Sequence, residues 1–367
     1  MTAAGLYVHV PFCLTRCGYC DFNAYAGLGH LADRYVEALG AEARLLAPSW
    51  AGEHIETVFL GGGTPTTLAP AVLVSLLHTL RDRFDVAADA EVTVEANPDT
   101  VDERSLAILR DGGFTRLSMG AQSFDPLVLE ALERVHQPES VRRAFAAARA
   151  AGFTNVNVDL IFGADGETVS SWRRTLEQAV ALEPDHMSCY ALTVEPATPF
   201  GHRVRAGLTP APDPDGQADM YEEACRVLDG ASYHHYEVSN WARTGLECRH
   251  NLLYWRRGSY LGIGAGAHSH RDGRRWWNLR PPAAYIEALE RGAEPIGGEE
   301  HLTPAESRLE EVFLRLWTST GIARDHVEHA AAAPFLEEGL LVPSDGHYVL
   351  SERGMFLAND IALALAG

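Results

Sequence analysis

The chain has 367 residues, 46% of them hydrophobic and 9% aromatic, which is enough for a large packed core and argues against global disorder. Its 30 Lys and Arg against 50 Asp and Glu give a net charge of −20, so no general nucleic-acid binding is expected, because phosphate contacts need clustered cations. The sequence has no basic leader before an apolar run and no apolar run of about 18 residues, so a cytoplasmic protein is predicted.

Strand-like and helix-like segments alternate through the first two-thirds of the chain. Strands are predicted at 6–10, 56–60, 91–95, 116–120, 156–162 and 187–193. Helices are predicted at 31–47, 70–84, 101–111, 125–132, 138–151 and 168–182. This alternation predicts an α/β fold with a parallel sheet, a partial (β/α)6 TIM-like barrel. Ligands of such sheets collect at the C-terminal ends of the strands.

The last third is predicted to differ from the first part. A helix is expected near 216–229, whereas 244–281 is dense in Gly, Arg, His and Trp and predicts no regular structure. T-P-A-E at Thr303 predicts a capped helix start, and Asp345-Gly346 predicts a hairpin turn. The predicted domains are a barrel (1–240), an extension (241–290) and a small C-terminal α+β, winged-helix-like domain (291–367).

Three cysteines, Cys13, Cys17 and Cys20, lie in a loop directly after the first predicted strand. Thiolates select zinc, Cu(I) or iron–sulfur, and here only three are local. A cluster with three protein thiolates leaves one iron open to a substrate. Two alternatives stay open: a zinc site completed from elsewhere in the chain, and a chance grouping of cysteines.

The spacing C-x3-C-x2-C, with Tyr19 before the last cysteine, resembles the signature of the radical-SAM superfamily. The resemblance implies a [4Fe-4S] cluster on Cys13, Cys17 and Cys20. It also implies that the amino and carboxylate groups of S-adenosylmethionine (SAM) chelate the open iron. An electron from the cluster then cleaves SAM to a 5′-deoxyadenosyl radical.

Polar residues after the next strands suit a cofactor pocket. The glycines of GGGTP (61–65) permit a close approach of main chain to ligand. Glu95 and Asp159 lie at the ends of apolar strands, where an unpaired carboxylate is costly. Each is therefore expected either to accept hydrogen bonds from ribose hydroxyls or an ammonium group of a ligand, or to form an internal ion pair. The side-chain amide of Gln122 can form hydrogen bonds with hydroxyl groups or with the edge of an adenine ring. Arg134 suits either a cofactor carboxylate or a solvated helix surface.

Motifs from end to end of the chain resemble one subgroup, that of the oxygen-independent coproporphyrinogen III dehydrogenase and its haem-chaperone homologue. They are YVHVPFC, CxYCDFN, FLGGGTPT, EANP, AQSF and VDLIFG. One departure is Phe22, which stands where the dehydrogenase has a fourth cysteine. The positions that the resemblance assigns to SAM binding are Tyr7, Tyr19, Gly62, Gly63, Thr64, Glu95, Gln122, Arg134, Asp159, Ala191 and Ile263.

The segment 248–255 contains H-N-x-x-Y-W, which resembles the haem-binding signature of the haem chaperones. This implies that haem contacts His250, Cys248, Tyr254 and Trp255, and imidazole and thiolate are known axial ligands. The alternative is that His250 and Asn251 make structural hydrogen bonds and that the rings of Tyr254 and Trp255 fill the core. The basic pairs near Arg256 and at 271–275 suit either an anionic ligand or solvated loops.

The resemblance therefore implies a haem chaperone that carries haem to acceptor haemoproteins. The alternative is the oxygen-independent dehydrogenase itself, and a third is a non-radical metal-binding protein. A flavodoxin- or ferredoxin-like electron donor is expected, while a homodimer and a peripheral membrane contact through a basic loop stay open. Cys189 and Cys225 are expected to serve packing.

Overall fold

The computed structural model describes residues 3–367, and its largest feature is a mixed sheet of 12 strands. Two smaller sheets have three strands and two strands. The strands are β1 (Ala3–Val10), β2 (Phe12–Cys13), β3 (Tyr25–Ala26), β4 (His54–Gly62), β5 (Asp85–Ala96), β6 (Arg116–Gln122), β7 (Val156–Phe162), β8 (His186–Ala191), β9 (His234–Glu237), β10 (Asn240–Ala242), β11 (Ser259–Ile263), β12 (His268–Arg271), β13 (Arg274–Asn278), β14 (Ile296–His301), β15 (Ile322–Ala323), β16 (Leu341–Ser344) and β17 (His347–Leu350).

Helices follow most strands of the first two-thirds of the chain. Within residues 3–367, no helix combines the length and the apolar character needed to cross a membrane. The helices are α1 (Ala32–Leu46), α2 (Pro70–Arg83), α3 (Glu103–Asp111), α4 (Pro126–Ala131), α5 (Pro138–Ala150), α6 (Val169–Val180), α7 (Pro199–Arg205), α8 (Pro214–Gly230), α9 (Arg249–Trp255), α10 (Pro282–Glu290), α11 (Pro304–Leu316), α12 (His329–Glu337), α13 (Glu352–Met355) and α14 (Ala358–Ala366).

Seven neighbouring strands of the large sheet run parallel, in the order β11-β1-β4-β5-β6-β7-β8. Antiparallel strands extend it on both sides, with β12, β13 and β14 beyond β11 and with β10 and β9 beyond β8. The six predicted strands all lie in the parallel part. The predicted α/β fold with a parallel sheet is therefore confirmed.

The parallel strands are apolar because helices and the sheet interior bury both of their faces. Leu6, Val58, Val92, Leu117 and Val158 are fully buried in one continuous core. The strand ends that follow these runs carry the polar motifs. The fold thus brings the motifs of different strands to one edge of the sheet.

The prediction that 244–281 has no regular structure is wrong. This segment forms α9 and the strands β11, β12 and β13. β11 pairs in parallel with β1, and its Leu261 and Ile263 are fully buried. Strands of four or five residues show no clear periodicity, and here long-range pairing decides the structure.

The last part of the chain has its own core. α11, α12 and α14 pack on the small sheet β15-β17-β16 around a separate cluster that includes Leu316, Ile322 and Ile361. The predicted turn is confirmed, since Asp345 and Gly346 have φ of 39° and 80° between β16 and β17. β14, which falls in the predicted range 291–367, pairs with β13 of the large sheet. The predicted domain limits stay predictions.

Candidate functional site

The three clustered cysteines lie at the end of β2 (Cys13) and in the loop between β2 and β3 (Cys17 and Cys20). The Cys20 N–H donates to the Cys17 carbonyl at 3.2 Å, which folds the loop back on itself. All three thiols are free and partly exposed. Burial raises the pKa of the Cys13 and Cys20 thiols, so these sulfurs keep their protons until a metal replaces them.

Two side chains from other elements lie against the sulfur atoms. Thr64 Oγ1 is 3.6 Å from Cys13 Sγ, and Arg134 Nη1 donates to Cys17 Sγ at 3.4 Å. Arg134 also donates from Nη2 to the Gly120 carbonyl at 2.9 Å, which holds the guanidinium in place. A cation beside a thiolate stabilises its charge, so this position suits a cysteine that binds metal.

No group of three or more His, Cys, Asp or Glu in the described part of the chain is arranged around one metal ion. A cubane cluster makes a different demand, because each thiolate binds its own iron atom. The donor set of three thiols in one short loop fits such a cluster. Its fourth iron has no cysteine ligand within this loop.

The glycine loop after β4 is tied to the cysteine loop. Gly63 N–H donates to the Val10 carbonyl at 2.9 Å, and Thr64 N–H donates to the Phe12 carbonyl at 2.8 Å. A Cβ on Gly63 would lie 2.7 Å from the Phe12 oxygen, and Gly62 has φ of 111°. Only glycine fits both positions, so the sequence here is dictated by main-chain packing next to the cysteines.

Two buried carboxylates, those of Glu95 and Asp159, lie near the glycine loop and the cysteines. Glu95, at the end of β5, accepts from the Gly62 N–H at 3.0 Å. Burial, and then the charge of Asp159, raise the pKa of Glu95 to about 7. The pKa of Asp159 is also raised, mainly by burial. Both groups therefore gain from a ligand that donates hydrogen bonds or carries positive charge.

Sequence reasoning missed the side chains that hold Asp159. Ser118 Oγ donates to Asp159 Oδ2 at 3.1 Å, and Asn157 Nδ2 donates to Asp159 Oδ1 at 2.7 Å. Asn157 and Asp159 are two residues apart on β7, so they share a face, and Ser118 is the register partner of Asn157. Polar residues two positions apart within an apolar strand are the signal that could have found Asn157, because such residues share a face of the strand.

One cavity of about 620 Å³ brings most of the predicted SAM residues together with the three cysteines. The predicted residues that line it are Tyr19, Gly62, Gly63, Thr64, Glu95, Gln122, Arg134, Asp159 and Ala191. Gln122 has φ of 64° at the end of β6, a strained conformation of the kind found at functional sites. Asn97 and Tyr190, which sequence reasoning did not assign, line the same cavity.

A second cavity of about 590 Å³ adjoins the first. Asp21, Phe22, Gly62 and Glu95 line both of them. Phe22, which is 66% exposed, therefore lies where the two cavities meet. The remaining two predicted SAM residues are placed elsewhere. Tyr7 lines the second cavity, and Ile263 is fully buried and lines neither.

The H-N-x-x-Y-W segment forms α9, and its histidine lies in the interior. His250 is 1% exposed, its Nδ1 is 2.8 Å from Thr57 Oγ1, and its Nε2 is 2.8 Å from the Tyr254 hydroxyl. Its ring stacks on Phe59 with centroids 5.2 Å apart. Burial, and then the charge of Arg116, lower the pKa of His250 to about 3, so the imidazole is neutral.

The neighbouring cysteine is also engaged. Cys248 is fully buried, and its Sγ donates to Glu91 Oε1 at 3.5 Å. Burial raises the pKa of this thiol to about 12. In this conformation His250 makes the structural hydrogen bonds that the alternative hypothesis expected, whereas Tyr254 lines the second cavity. Their role as haem ligands stays a prediction.

The comparisons with known proteins agree with this geometry. A model of the radical SAM superfamily matches residues 7–179. The chain is 43% identical to the haem chaperone HemW of Mycobacterium tuberculosis (strain ATCC 25618 / H37Rv) over 369 residues, covering 99% of this chain and 95% of the relative. It is 34% identical to the haem chaperone HemW of Bacillus subtilis (strain 168), covering 98% of each chain.

A solved structure extends the likeness to the whole fold. It is that of coproporphyrinogen III oxidase (HemN) from Escherichia coli, a radical SAM enzyme, with a TM-score of 0.86 and 26% identity. The match covers 100% of this chain and 90% of that chain. The near full-length identity to HemW proteins is higher than the identity to HemN. The chain therefore belongs to the HemW family, within the radical SAM superfamily.

Proposed function

We propose that this protein is a haem chaperone that holds a [4Fe-4S] cluster, binds SAM beside it, and carries haem to acceptor haemoproteins. Cys13, Cys17 and Cys20 hold the cluster, and the cavity next to them takes SAM. The cluster and SAM are supported by the meeting of three thiols, a glycine loop and two carboxylates around one cavity of about 620 Å³. The haem-chaperone role is supported by the 43% identity to a haem chaperone over 99% of this chain. The size suits a nucleoside-bearing cofactor.

The residues of this cavity have separate tasks. The loop at Gly62 and Gly63 offers main-chain groups to the methionine end of SAM, since no side chain intervenes there. Glu95 and Asp159 accept hydrogen bonds from hydroxyl or ammonium groups. Arg134 lies beside Cys17 and offsets negative charge at the thiolates. When bound, the cluster and SAM supply one-electron radical chemistry.

Anaerobic reconstitution with iron, sulfide and SAM, followed by addition of haem, tests the proposal. The expected result is about four irons per chain, an EPR signal that SAM alters, and a haem absorption band. Zinc bound in place of iron, or a cluster spectrum that SAM leaves unchanged, contradicts the assignment of the cavity.

The chaperone function needs a transfer experiment. The haem-loaded protein is mixed with an apo-haemoprotein, and the haem on each is followed by absorbance after separation. Haem is expected to reach the acceptor faster than from an albumin–haem complex at equal concentration. Equal rates contradict delivery and leave only haem binding.

A second candidate is oxygen-independent oxidative decarboxylation of coproporphyrinogen III. It is favoured by the TM-score of 0.86 to HemN, whose fold covers the whole chain. Phe22 argues against it, since the dehydrogenase has a cysteine at this position by the resemblance of the motifs. An anaerobic assay for protoporphyrinogen, together with complementation of a strain that lacks the dehydrogenase, separates the two functions. Product and rescue would establish the enzyme.

The remaining partners follow from this function. A flavodoxin- or ferredoxin-like protein is proposed to reduce the cluster, and the cytoplasm is the proposed compartment. A homodimer and a peripheral membrane contact are not required by this function and are left to experiment. Sedimentation with and without haem, and flotation with anionic vesicles, measure them.

A further inference from the structure

The second cavity adjoins the SAM cavity and shares Gly62 and Glu95 with it, but most of its lining residues are not assigned to SAM. It lies between the antiparallel strands β12–β14 of the large sheet and the C-terminal unit, which consists of α11 to α14 with the small sheet β15-β17-β16. β12 and β13 supply His270 and Arg275 to its wall, and α11 supplies Glu310. Its volume of about 590 Å³ lies in the ordinary range for a small-molecule site. What it binds is indicated by its arginines and by one of its three histidines, His270.

His270 has the arrangement of a metal-binding imidazole. It is 6% exposed, and its Nδ1 is 3.1 Å from the Gly258 carbonyl oxygen. Because a carbonyl only accepts, Nδ1 carries the proton, and Nε2 keeps its lone pair. Nε2 has no hydrogen-bond partner in residues 3–367. Histidine ligands of metals use one ring N–H in this way, which fixes the tautomer and leaves the other nitrogen for the metal.

His250 differs from His270 on this point. Its two ring nitrogens are both engaged, by Thr57 and by Tyr254. Tyr254 itself lines the second cavity. The H-N-x-x-Y-W segment therefore reaches this cavity through Tyr254. Of these two histidines, His270 on β12 is the one with a ring nitrogen, Nε2, that has no hydrogen-bond partner among the described residues.

The arginines of the same wall share one carboxylate. Glu310 pairs through Oε2 with Arg275 Nη2, and its Oε1 lies 3.5 Å from Arg257 Nε. Arg280 also lines the cavity. Arg275 is the cross-strand partner of His270, so the two side chains project from the same face of the sheet. Guanidinium groups bind carboxylates with planar, paired hydrogen bonds.

We propose that this cavity is the haem site of the chaperone, with the iron on His270 Nε2 and the propionates on Arg257 and Arg275 in place of Glu310. This inference rests on the proposed function. Coordination displaces a weakly held water from the ferric iron and transfers no electron. The propionate oxygens accept from the guanidinium groups, and Glu310 is released, so the cargo and α11 compete for the same two cations.

The iron ligand is tested by titrating the full apo-chain with ferric haem and recording absorbance and EPR. His270→Ala is expected to change the haem spectrum and to weaken binding by about tenfold or more. Added imidazole is expected to restore the spectrum in this variant, which a merely structural role would not allow. His250→Gln tests the competing assignment, and His78→Gln, at an exposed position of α2 outside both cavities, is the control that is expected to keep the spectrum of the unmodified chain. The reverse pattern, in which only His250→Gln loses the spectrum, overturns the inference.

The carboxylate exchange is tested with Glu310→Gln. This variant removes the carboxylate that the two arginines share, although Arg275 keeps its ion pair with Glu300 at 3.3 Å and Arg257 keeps its hydrogen bond to Ser307 at 2.7 Å. Haem is therefore expected to bind severalfold more tightly, whereas haem dimethyl ester, which has no carboxylates, is expected to bind as before. Glu311→Gln removes the same charge from the same helix, but Glu311 pairs with His326 at 3.2 Å, and no change is expected. An equal response of acid and ester, or no response of either, overturns the role of the arginines.

The outcomes separate this inference from the proposed function. If haem fails to bind at all, the chaperone function fails with it. If haem binds and is delivered while His270→Ala and Glu310→Gln behave like the unmodified chain, the function stands and the cavity is the wrong site.

Discussion

The two adjoining cavities are built from different parts of the fold and present different chemistry. The first lies at the ends of parallel strands and carries thiols and carboxylates, with Glu95 and Asp159 at its base. The second lies where antiparallel strands meet the C-terminal unit, and it carries imidazole and guanidinium groups. Four residues line both, so a ligand in one lies next to a ligand in the other.

This difference indicates how the functions divide. The three cysteines and the predicted SAM residues that line the first cavity lie on the first 191 residues, and all of them except Ala191 fall within the radical SAM match. The second cavity depends on His270, Arg275 and Glu310, which lie outside that match. The proposed cofactor site thus lies mostly within the superfamily match, whereas the proposed haem ligand His270 and its neighbouring arginines lie outside it.

The largest expected effect separates the two cavities completely. Replacing Cys13, Cys17 and Cys20 by alanine is expected to reduce bound iron from about four per chain to nearly none, because no other thiols lie in that cavity. Haem binding by the apo-chain is expected to be unchanged. Iron content and haem titration measure the two effects.

Cys225→Ala is the control for this change, since Cys225 lies on α8 and lines neither of these two cavities. It is expected to keep the cluster and the haem. If the triple variant loses haem binding as well as iron while its fold is retained, the two cavities are not independent.

The next effect concerns the histidine that the structure places in the core. His250→Ala removes two hydrogen bonds and the stacking on Phe59, so it is expected to lower the free energy of unfolding by about 2–4 kcal/mol. Urea denaturation of the apo-chain measures this. His234→Ala, at an exposed position of β9, is expected to cost less than about 0.5 kcal/mol. A small cost for both would show that the His250 imidazole has no structural task.

A smaller effect is expected from Glu95 and depends on pH. Its pKa in the folded chain, about 7, lies above the value of about 4.3 in an unfolded chain. The stability that the protonated carboxyl contributes is therefore present below about pH 4 and is lost as the pH rises through 7. Glu95→Gln keeps the neutral form, so it is expected to be more stable than the unmodified apo-chain at pH 8, by about 1–2 kcal/mol, with a smaller gap at pH 5.

The same variant is expected to weaken SAM binding at pH 8, because the amide no longer attracts positive charge and presents one acceptor oxygen instead of two. Thermal unfolding at the two pH values and SAM titration measure both changes. Glu130→Gln, at an exposed position of α4, is the control and is expected to show neither. A stability gap that does not depend on pH would place the raised pKa elsewhere in the chain.

Sequence reasoning found most of the first cavity, but of the second, beyond the residues that line both, it found only Tyr7, Tyr254 and the basic residues, and it missed His270 and Glu310 for physical reasons. The cysteine loop, the glycine loop and the strand-end carboxylates are local signals, since each lies next to a long apolar strand. His270 and Arg275 lie on strands of four and five residues, which show no usable period. Their meeting with Glu310 depends on tertiary packing of a separate core, which no local pattern specifies.

The smallest effect tests whether the C-terminal unit, which supplies Glu310, unfolds separately from the large sheet. Thr303 caps α11: its hydroxyl accepts from the Glu306 N–H at 3.3 Å, and Glu306 Oε2 accepts from the Thr303 N–H at 2.7 Å. Thr303→Ala removes the first of these bonds and is expected to cost about 1 kcal/mol. Amide exchange is expected to accelerate in α11 and not in α5, because the two helices pack in different cores.

Thr79→Ala in the middle of α2 is the control, because its hydroxyl bonds within the same helix, to the Ser75 carbonyl, and caps no helix end. Equal acceleration in α11 and α5 would mean that the two cores open together. In that case release of Glu310 by the cargo could not be a local event, because the ion pairs that hold α11 over the second cavity would break only when the whole sheet opened. Faster exchange confined to α11 would instead allow haem to compete with Glu310 while the cluster cavity stays folded.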